Sequence, residues 1–131
     1  YKTNEQLAGI YDSEHNSIIP ADEVIFQQIE KLRQLPSGNT TIGCIITNAK
    51  LNKAQCTKIA GIAHNGYARA IQPVHTMSDG DTIFVLSTNE VEVMPDAIGI
   101  LATDLMAKAV NRAVKKADSA YGLKSYKELH K

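Results

Sequence analysis

No stretch of this sequence stays apolar for the roughly 20 residues that a transmembrane helix needs. Nothing near its start pairs a basic region with an apolar core, as a secretory signal does. A soluble, cytoplasmic protein is expected. Neither sign of charge is in excess, because 14 Lys and Arg balance 14 Asp and Glu. No overall field draws the chain to nucleic acid or to an anionic membrane, and neither is expected as a partner. Cysteine is scarce: Cys44 and Cys56 form no CxxC and have no second pair beside them. That argues against a disulfide framework or a zinc site, and for reduced thiols in the core. Internal repeats and low-complexity tracts are lacking as well. So is an initiator methionine, and an opening at Tyr1 is what a processed piece of a longer product would show.

What is present fits one domain, since 131 residues can bury one core but not two of ordinary size. Leu7–Asp12 and Ser17–Pro20, split by the turn-prone Ser13–Asn16, predict a hairpin. Asp22–Leu32 begins acidic, ends basic and carries Ile25, Ile29 and Leu32 on one face, which predicts a helix closed by Leu35–Gly38. The continuous apolar run within Thr41–Thr47 predicts a strand covered on both faces. From Lys53 to about Ile71 the spacing of Ile59, Ile62, Ala63, Tyr67 and Ala70 predicts a helix, with Gly61 and Gly66 admitting a close neighbour. A loop over Gln72–Asp81 leads into a strand at Thr82–Ser87, followed by a turn at Thr88–Glu90 and an edge strand at Val91–Met94. Ile98, Leu101, Ala102, Leu105, Met106, Ala109, Val110, Ala113 and Val114 define the apolar stripe of a long helix from Pro95 to about Asp118. Lys127–Lys131 is expected to be disordered. Strands alternating with helices make this an α/β chain.

The chemistry is expected at the junction Gly38-Asn39-Thr40-Thr41-Ile42-Gly43, where a flexible approach meets a buried strand. A Thr here can act through its hydroxyl and, once the preceding peptide bond is cut, through its own α-amine as base. Such an amine titrates near about 8 and suits base catalysis at neutral pH. Asp79 and Asp81, flanking Gly80, could hold the ammonium form and orient the hydroxyl if their loop folds back onto the strand. Turn chemistry alone would make them solvated turn residues, and β-propensity alone would account for Thr40-Thr41. Two carboxylates without a third ligand are a poor oxygen cage, so no metal and no cofactor is expected. His64 reads as a partly exposed helical side chain, His75 shows no triad spacing, and Asn65 and Tyr67 read as packing or helix-face residues.

These residues carry a resemblance. Gly38–Gly43, Thr47-Asn48-Ala49 with Lys53-Ala54-Gln55, Ala63-His64-Asn65-Gly66-Tyr67-Ala68-Arg69-Ala70-Ile71 and Thr76-Met77-Ser78-Asp79-Gly80-Asp81-Thr82-Ile83-Phe84 resemble the C-terminal part of the L-aminopeptidase/D-esterase (DmpA-type) family. That family includes β-peptidyl aminopeptidases and nylon-oligomer hydrolases. The resemblance runs from about Leu7 to Tyr126 and implies a precursor that cuts itself before a Ser or Thr. It also implies an αββα sandwich of the type shared with ornithine acetyltransferase, of which this chain would be the C-terminal portion. On that basis residues 1–131 are a single domain of a longer precursor, with 1–39 ending the α-part and 40–131 forming the β-part. The resemblance implies that the cut bond is Asn39-Thr40 and the nucleophile Thr40, and the loop aspartates Asp79 and Asp81 match the Thr branch that the nylon-oligomer hydrolases follow. The family's oxyanion Asn falls near Asn4, where Asn4-Glu5-Gln6-Leu7-Ala8-Gly9 replaces the usual Asn-Ala-x-Gly-Asp. A Lys and a Tyr that the family supplies from upstream have no counterpart.

The implied function is a self-processing aminopeptidase-type amide hydrolase with an acyl-enzyme, acting on short peptides, amino-acid amides or esters. Its implied partners are the N-terminal part of the same product and further copies in a homo-oligomer. The alternative is an incomplete or inactive α/β binding or assembly module of the same fold.

Overall fold

The computed structural model describes residues 5–27 and 40–130. The chain divides into two compact units, one formed by Ser37–Lys108 and the other by Tyr1–Pro36 with Ala109–Lys131.

The Ser37–Lys108 unit is built on a parallel pair of strands, β3 (Ile42–Ala49) and β4 (Thr82–Val91), in the register Ile42↔Thr82 through Thr47↔Ser87. The hairpin strands β1 (Ile10–Asp12) and β2 (Ser17–Ile19) and the helix α1 (Ala21–Gln27) come before them in the chain. Between β3 and β4 runs α2 (Lys53–Ala70), and after β4 comes α3 (Pro95–Lys116). A parallel pair needs such a crossover, because a tight turn cannot return the chain to the same end of the sheet.

A capping box sets the start of α2. Asn52 Oδ1 accepts the Gln55 N–H at 2.9 Å, and Gln55 Oε1 accepts the Asn52 N–H at 2.8 Å; removing such a cap costs about 1 kcal/mol. Ile59, Ala63 and Tyr67 on α2 are buried with Ala102, Met106 and Ala107 on α3, Ala49 at the end of β3, Leu51 just after it, and Ile83 on β4. Burying each large side chain contributes roughly 1.5–3 kcal/mol. The two helices approach closely at Gly66, where a Cβ would sit 2.6 Å from the Thr103 carbonyl oxygen and 2.7 Å from Met106 Cβ. Gly61, expected to serve the same purpose, has nothing within 4 Å of that position. The buried Thr103 hydroxyl lies 3.0 Å from both Ile62 O and Gly99 O and donates to one at a time.

Several expectations change. Among the described residues the β3–β4 sheet is covered on one face rather than both: Ile42, Cys44 and Ile46 of β3 and Phe84 and Leu86 of β4 are exposed, with Ile42 and Ile46 at 72% and 75%. Cys44 is therefore not a core thiol, and Cys56 is half-buried. The apolar run of β3 reflects a side-chain set made for two neighbours, of which the described residues supply one. Likewise Leu101 and Leu105, counted in the stripe of α3, are uncovered. β4 runs on through the turn expected at Thr88–Glu90, with an irregularity opposite Thr47/Ala49 where Asn89 takes a left-handed φ of 58°, and it ends at Val91, so residues 92–94 of the expected edge strand Val91–Met94 are not strand. Asn89 Oδ1 then accepts the Leu51 N–H at 2.9 Å, which ties the end of β4 to the start of α2.

In the other unit β1 and β2 pair antiparallel through Ile10↔Ile19, Tyr11↔Ile18 and Asp12↔Ser17, shorter than the expected hairpin. Asp12 holds the turn: its carboxylate contacts His15 Nδ1 at 2.6 Å and accepts the Glu14 N–H at 2.9 Å, and the His15 bond leads in lowering its pKa. The described part of the helix expected over Asp22–Leu32 is α1; its later residues lie outside the described range. Of Lys127–Lys131, expected to be disordered, Lys127–Leu129 belong to the short helix α4 (Tyr126–Leu129), and Lys131 lies outside the described residues. Lys115 Nζ lies 5.4 Å from the Tyr126 ring centre, and Lys127 pairs with Asp118 at 2.8 Å, lowering the Asp118 pKa. No helix among the described residues is long and apolar enough to cross a membrane.

Candidate active site

Thr40 and Asp81 stand just before β3 and β4, and the parallel pairing of those strands brings their amino ends side by side. The first ladder bond, Thr82 N–H to Thr41 O at 3.0 Å, fixes that alignment. The loop then folds back over the junction. Asp81 Oδ1 accepts the Thr41 N–H at 2.9 Å. Gly80 lies so close to the exposed Thr40 that a Cβ on it would stand 2.7 Å from Thr40 Oγ1. Only a residue without a side chain leaves that hydroxyl in place.

Asp79 plays a different part. Its Oδ2 accepts the Thr76 N–H at 2.6 Å while its own N–H donates to Thr76 O at 3.1 Å, so it shapes the loop that carries Gly80 and Asp81. Asn39 and Asn4 lie outside the described residues.

Three further side chains gather here. His75 Nε2 lies 4.0 Å from Asp81 Oδ2 and 3.1 Å from His64 Nδ1. The His64 ring meets Tyr67 edge-on, with centroids 5.5 Å apart. Tyr67, at 1% exposure, is the packing residue expected, yet its hydroxyl points to the strand, 2.5 Å from where a Cβ on Gly43 would stand. Burial raises the Tyr67 pKa, and the Asp81 charge raises it further. Tyr67 Oη and Asp81 Oδ2 are buried side-chain atoms without a hydrogen-bond partner among the described residues. Sequence reasoning set His64, His75 and Tyr67 aside because their spacing spans a helix end and a loop, where no periodicity brings them together.

Among the described residues no group of three His, Cys, Asp or Glu side chains could hold a metal ion. What the arrangement offers is an exposed hydroxyl, a carboxylate that holds the adjoining peptide, and buried polar atoms without a partner among the described residues.

Comparison with known proteins gives this geometry a context. Residues 6–126 match Peptidase family S58. The chain belongs to that family. Within it, the chain is 38% identical to an uncharacterized aminopeptidase of Mycobacterium tuberculosis, over 79% of this chain and 37% of that protein. It is 39% identical to an uncharacterized aminopeptidase of Mycobacterium leprae, over 76% of this chain and 33% of that protein. A 6-aminohexanoate-oligomer endohydrolase of Kocuria is 31% identical, over 83% of this chain and 35% of that protein. This S58 chain thus spans little more than a third of the length of the curated relatives it matches.

Proposed function

We propose that this chain is the nucleophile-bearing part of a self-processing amide hydrolase, with Thr40 as nucleophile and Asn39-Thr40 as the bond it cuts in its own precursor. The observation that carries the reading is the return of Gly80 and Asp81 onto Thr40-Thr41: the hydroxyl is packed at 2.7 Å from the Gly80 Cβ position, and the next peptide is held by a carboxylate.

In processing, the Thr40 hydroxyl attacks the Asn39 carbonyl carbon and the bond to the Thr40 nitrogen breaks, leaving an ester on Oγ1 and a free α-amine. Water then hydrolyses the ester and releases the Asn39 carboxylate. In turnover the α-amine takes the hydroxyl proton while Oγ1 attacks a substrate amide carbonyl, and the amine of the leaving group departs with a proton. Water then regenerates Thr40 from the acyl-enzyme. Asp81 fixes the residue through Thr41, and Asp79 fixes Asp81 through the loop. Short peptides, amino-acid amides and ω-amino-acid oligomers are the substrate classes, in keeping with the relatives named aminopeptidase and 6-aminohexanoate-oligomer endohydrolase.

The open apolar face of β3–β4 fits the same reading. Ile42, Ile46, Phe84 and Leu86 suit a second sheet stacked on the first, as an αββα sandwich requires, with the N-terminal part of the precursor completing the layers and processed units assembling as oligomers. That face also favours the second reading, a binding or assembly module without catalysis. A Thr40→Ala substitution in the full-length product separates the two. The hydrolase reading expects an uncut chain with hydrolysis of amino-acid p-nitroanilides reduced at least about 1000-fold. An assembly module expects no cleavage and no hydrolysis in the unsubstituted protein either.

A further inference from the structure

The Asp81 carboxylate is anchored on one side. Oδ1 holds the Thr41 N–H, whereas Oδ2, in a side chain only 7% exposed, has no hydrogen bond among the described residues. A carboxylate oxygen shut away from water without a donor is unfavourable, and a carboxylate held by one oxygen is free to rotate about it. The group facing Oδ2 is His75 Nε2, at 4.0 Å. Closing that gap to a hydrogen bond takes a movement of about 1 Å.

The His64 contact determines what His75 can offer. Between His64 Nδ1 and His75 Nε2, 3.1 Å apart, neutral rings hold one proton. If the proton is on His64 Nδ1, His75 turns a bare lone pair toward the Asp81 anion. If it is on His75 Nε2, an N–H faces both His64 Nδ1 and the carboxylate. The Asp81 charge favours the second arrangement, and His64 accepts in it. The backbone supports this reading independently: His75 adopts a left-handed φ of 58°, unfavourable for a residue with a Cβ, and that conformation places its ring between His64 and Asp81. Another polar group beside this cluster is the Tyr67 hydroxyl, from α2, which has no hydrogen-bond partner among the described residues and carries no charge while protonated.

We infer that His75, with its tautomer set by His64, is a positioning residue for Asp81, supplying the second donor that orients the carboxylate gripping the Thr40-Thr41 junction. The inference rests on Thr40 being the nucleophile, and its test is separable from that reading. A long-range 1H–15N correlation of the histidine rings in the full-length product should show His75 protonated on Nε2 and His64 bare on Nδ1. In Asp81→Asn the preference should weaken toward a mixture. The opposite tautomer in the unsubstituted protein, or a pattern indifferent to Asp81→Asn, overturns the inference whatever the activity. In kinetics, His75→Leu should lower kcat for a p-nitroanilide by about 10–100-fold with KM changed less than about twofold, and His75→Gln, which keeps an N–H, should recover most of the loss. An unchanged kcat in His75→Leu, with Thr40→Ala inactive, overturns this role alone. An active Thr40→Ala overturns the reading beneath it.

Discussion

The two ends of the β3–β4 sheet are built from the same kinds of residue and finish differently. At the carboxyl end, Asn89 Oδ1 takes the Leu51 N–H, Ser87 Oγ takes the Asn89 N–H at 3.2 Å, and the Lys50 N–H reaches Val91 O at 2.7 Å. No buried side-chain nitrogen or oxygen lacks a partner there among the described residues. At the amino end, Tyr67 Oη and Asp81 Oδ2 are buried without a hydrogen-bond partner among the described residues, and an imidazole pair stands beside them. Open α/β sheets ordinarily bind ligands outside the carboxyl ends of their strands. Here the end that satisfies itself is the ordinary ligand end, and unspent polar capacity collects at the other. Under the proposed function the carboxyl end serves stability, where a hydrogen bond is worth most when complete, and the amino end serves chemistry, where an incomplete set leaves room for a reacting group.

Substitutions at each end can break that contrast. The largest effect short of removing the Thr40 hydroxyl belongs to Gly80→Ala. Its methyl group would stand where Thr40 Oγ1 now packs, so self-cleavage and turnover should fall by about 100-fold while the melting temperature shifts little. Near-normal kinetics in this variant would mean that the loop does not rest on Thr40 during the reaction. Next, Asn89→Ala at the opposite end should cost about 1–2 kcal/mol in denaturant unfolding, because the Leu51 N–H loses its acceptor and a left-handed backbone loses a residue suited to it. Its kcat per folded molecule should be unchanged; a loss of activity without a loss of stability would erase the division of labour.

The smallest effect is that of Tyr67→Phe, which removes an unpartnered buried hydroxyl and should leave stability at neutral pH within about 1 kcal/mol of the parent, on either side. Its signature lies at alkaline pH. The folded-state pKa of Tyr67 is raised above its ordinary value of 10.0, so the neutral phenol's contribution is complete below that value and is lost as pH rises through the folded pKa. Tyr67→Phe should remove that alkaline loss, which stability curves taken on both sides of the ordinary value would reveal.

Much of the fold was legible in the sequence because it rests on local signals. Asn52 and Gln55 write the start of α2, Gly66 marks the helix contact, and the spacing of Ala102 and Met106 marks the inner face of α3. Asn89 misled because a left-handed Asn inside a strand carries the same composition as a turn. The run from Ile42 to Ile46 misled in another way: apolar content reports what a strand is made to meet, not what the described residues provide. At the candidate site, the return of the loop onto Thr40-Thr41 was anticipated from contiguous motifs, but the different contacts of the two aspartates were not. Asp79 turns inward to Thr76 and Asp81 across to Thr41, a difference that one intervening glycine conceals. The His64–His75–Asp81 line depends on tertiary geometry, and no spacing in the chain announces it.

The central claim is that the amino end of this sheet holds a nucleophile exposed by the chain's own cleavage. The most direct test is the intact mass of the product expressed from the full-length gene, before and after incubation, beside Thr40→Ala. The account predicts two pieces, one ending at Asn39 and one beginning at Thr40, and a single uncut chain for the variant. Amide hydrolysis by an uncut wild-type chain, or cleavage of Thr40→Ala at the same bond, would contradict it.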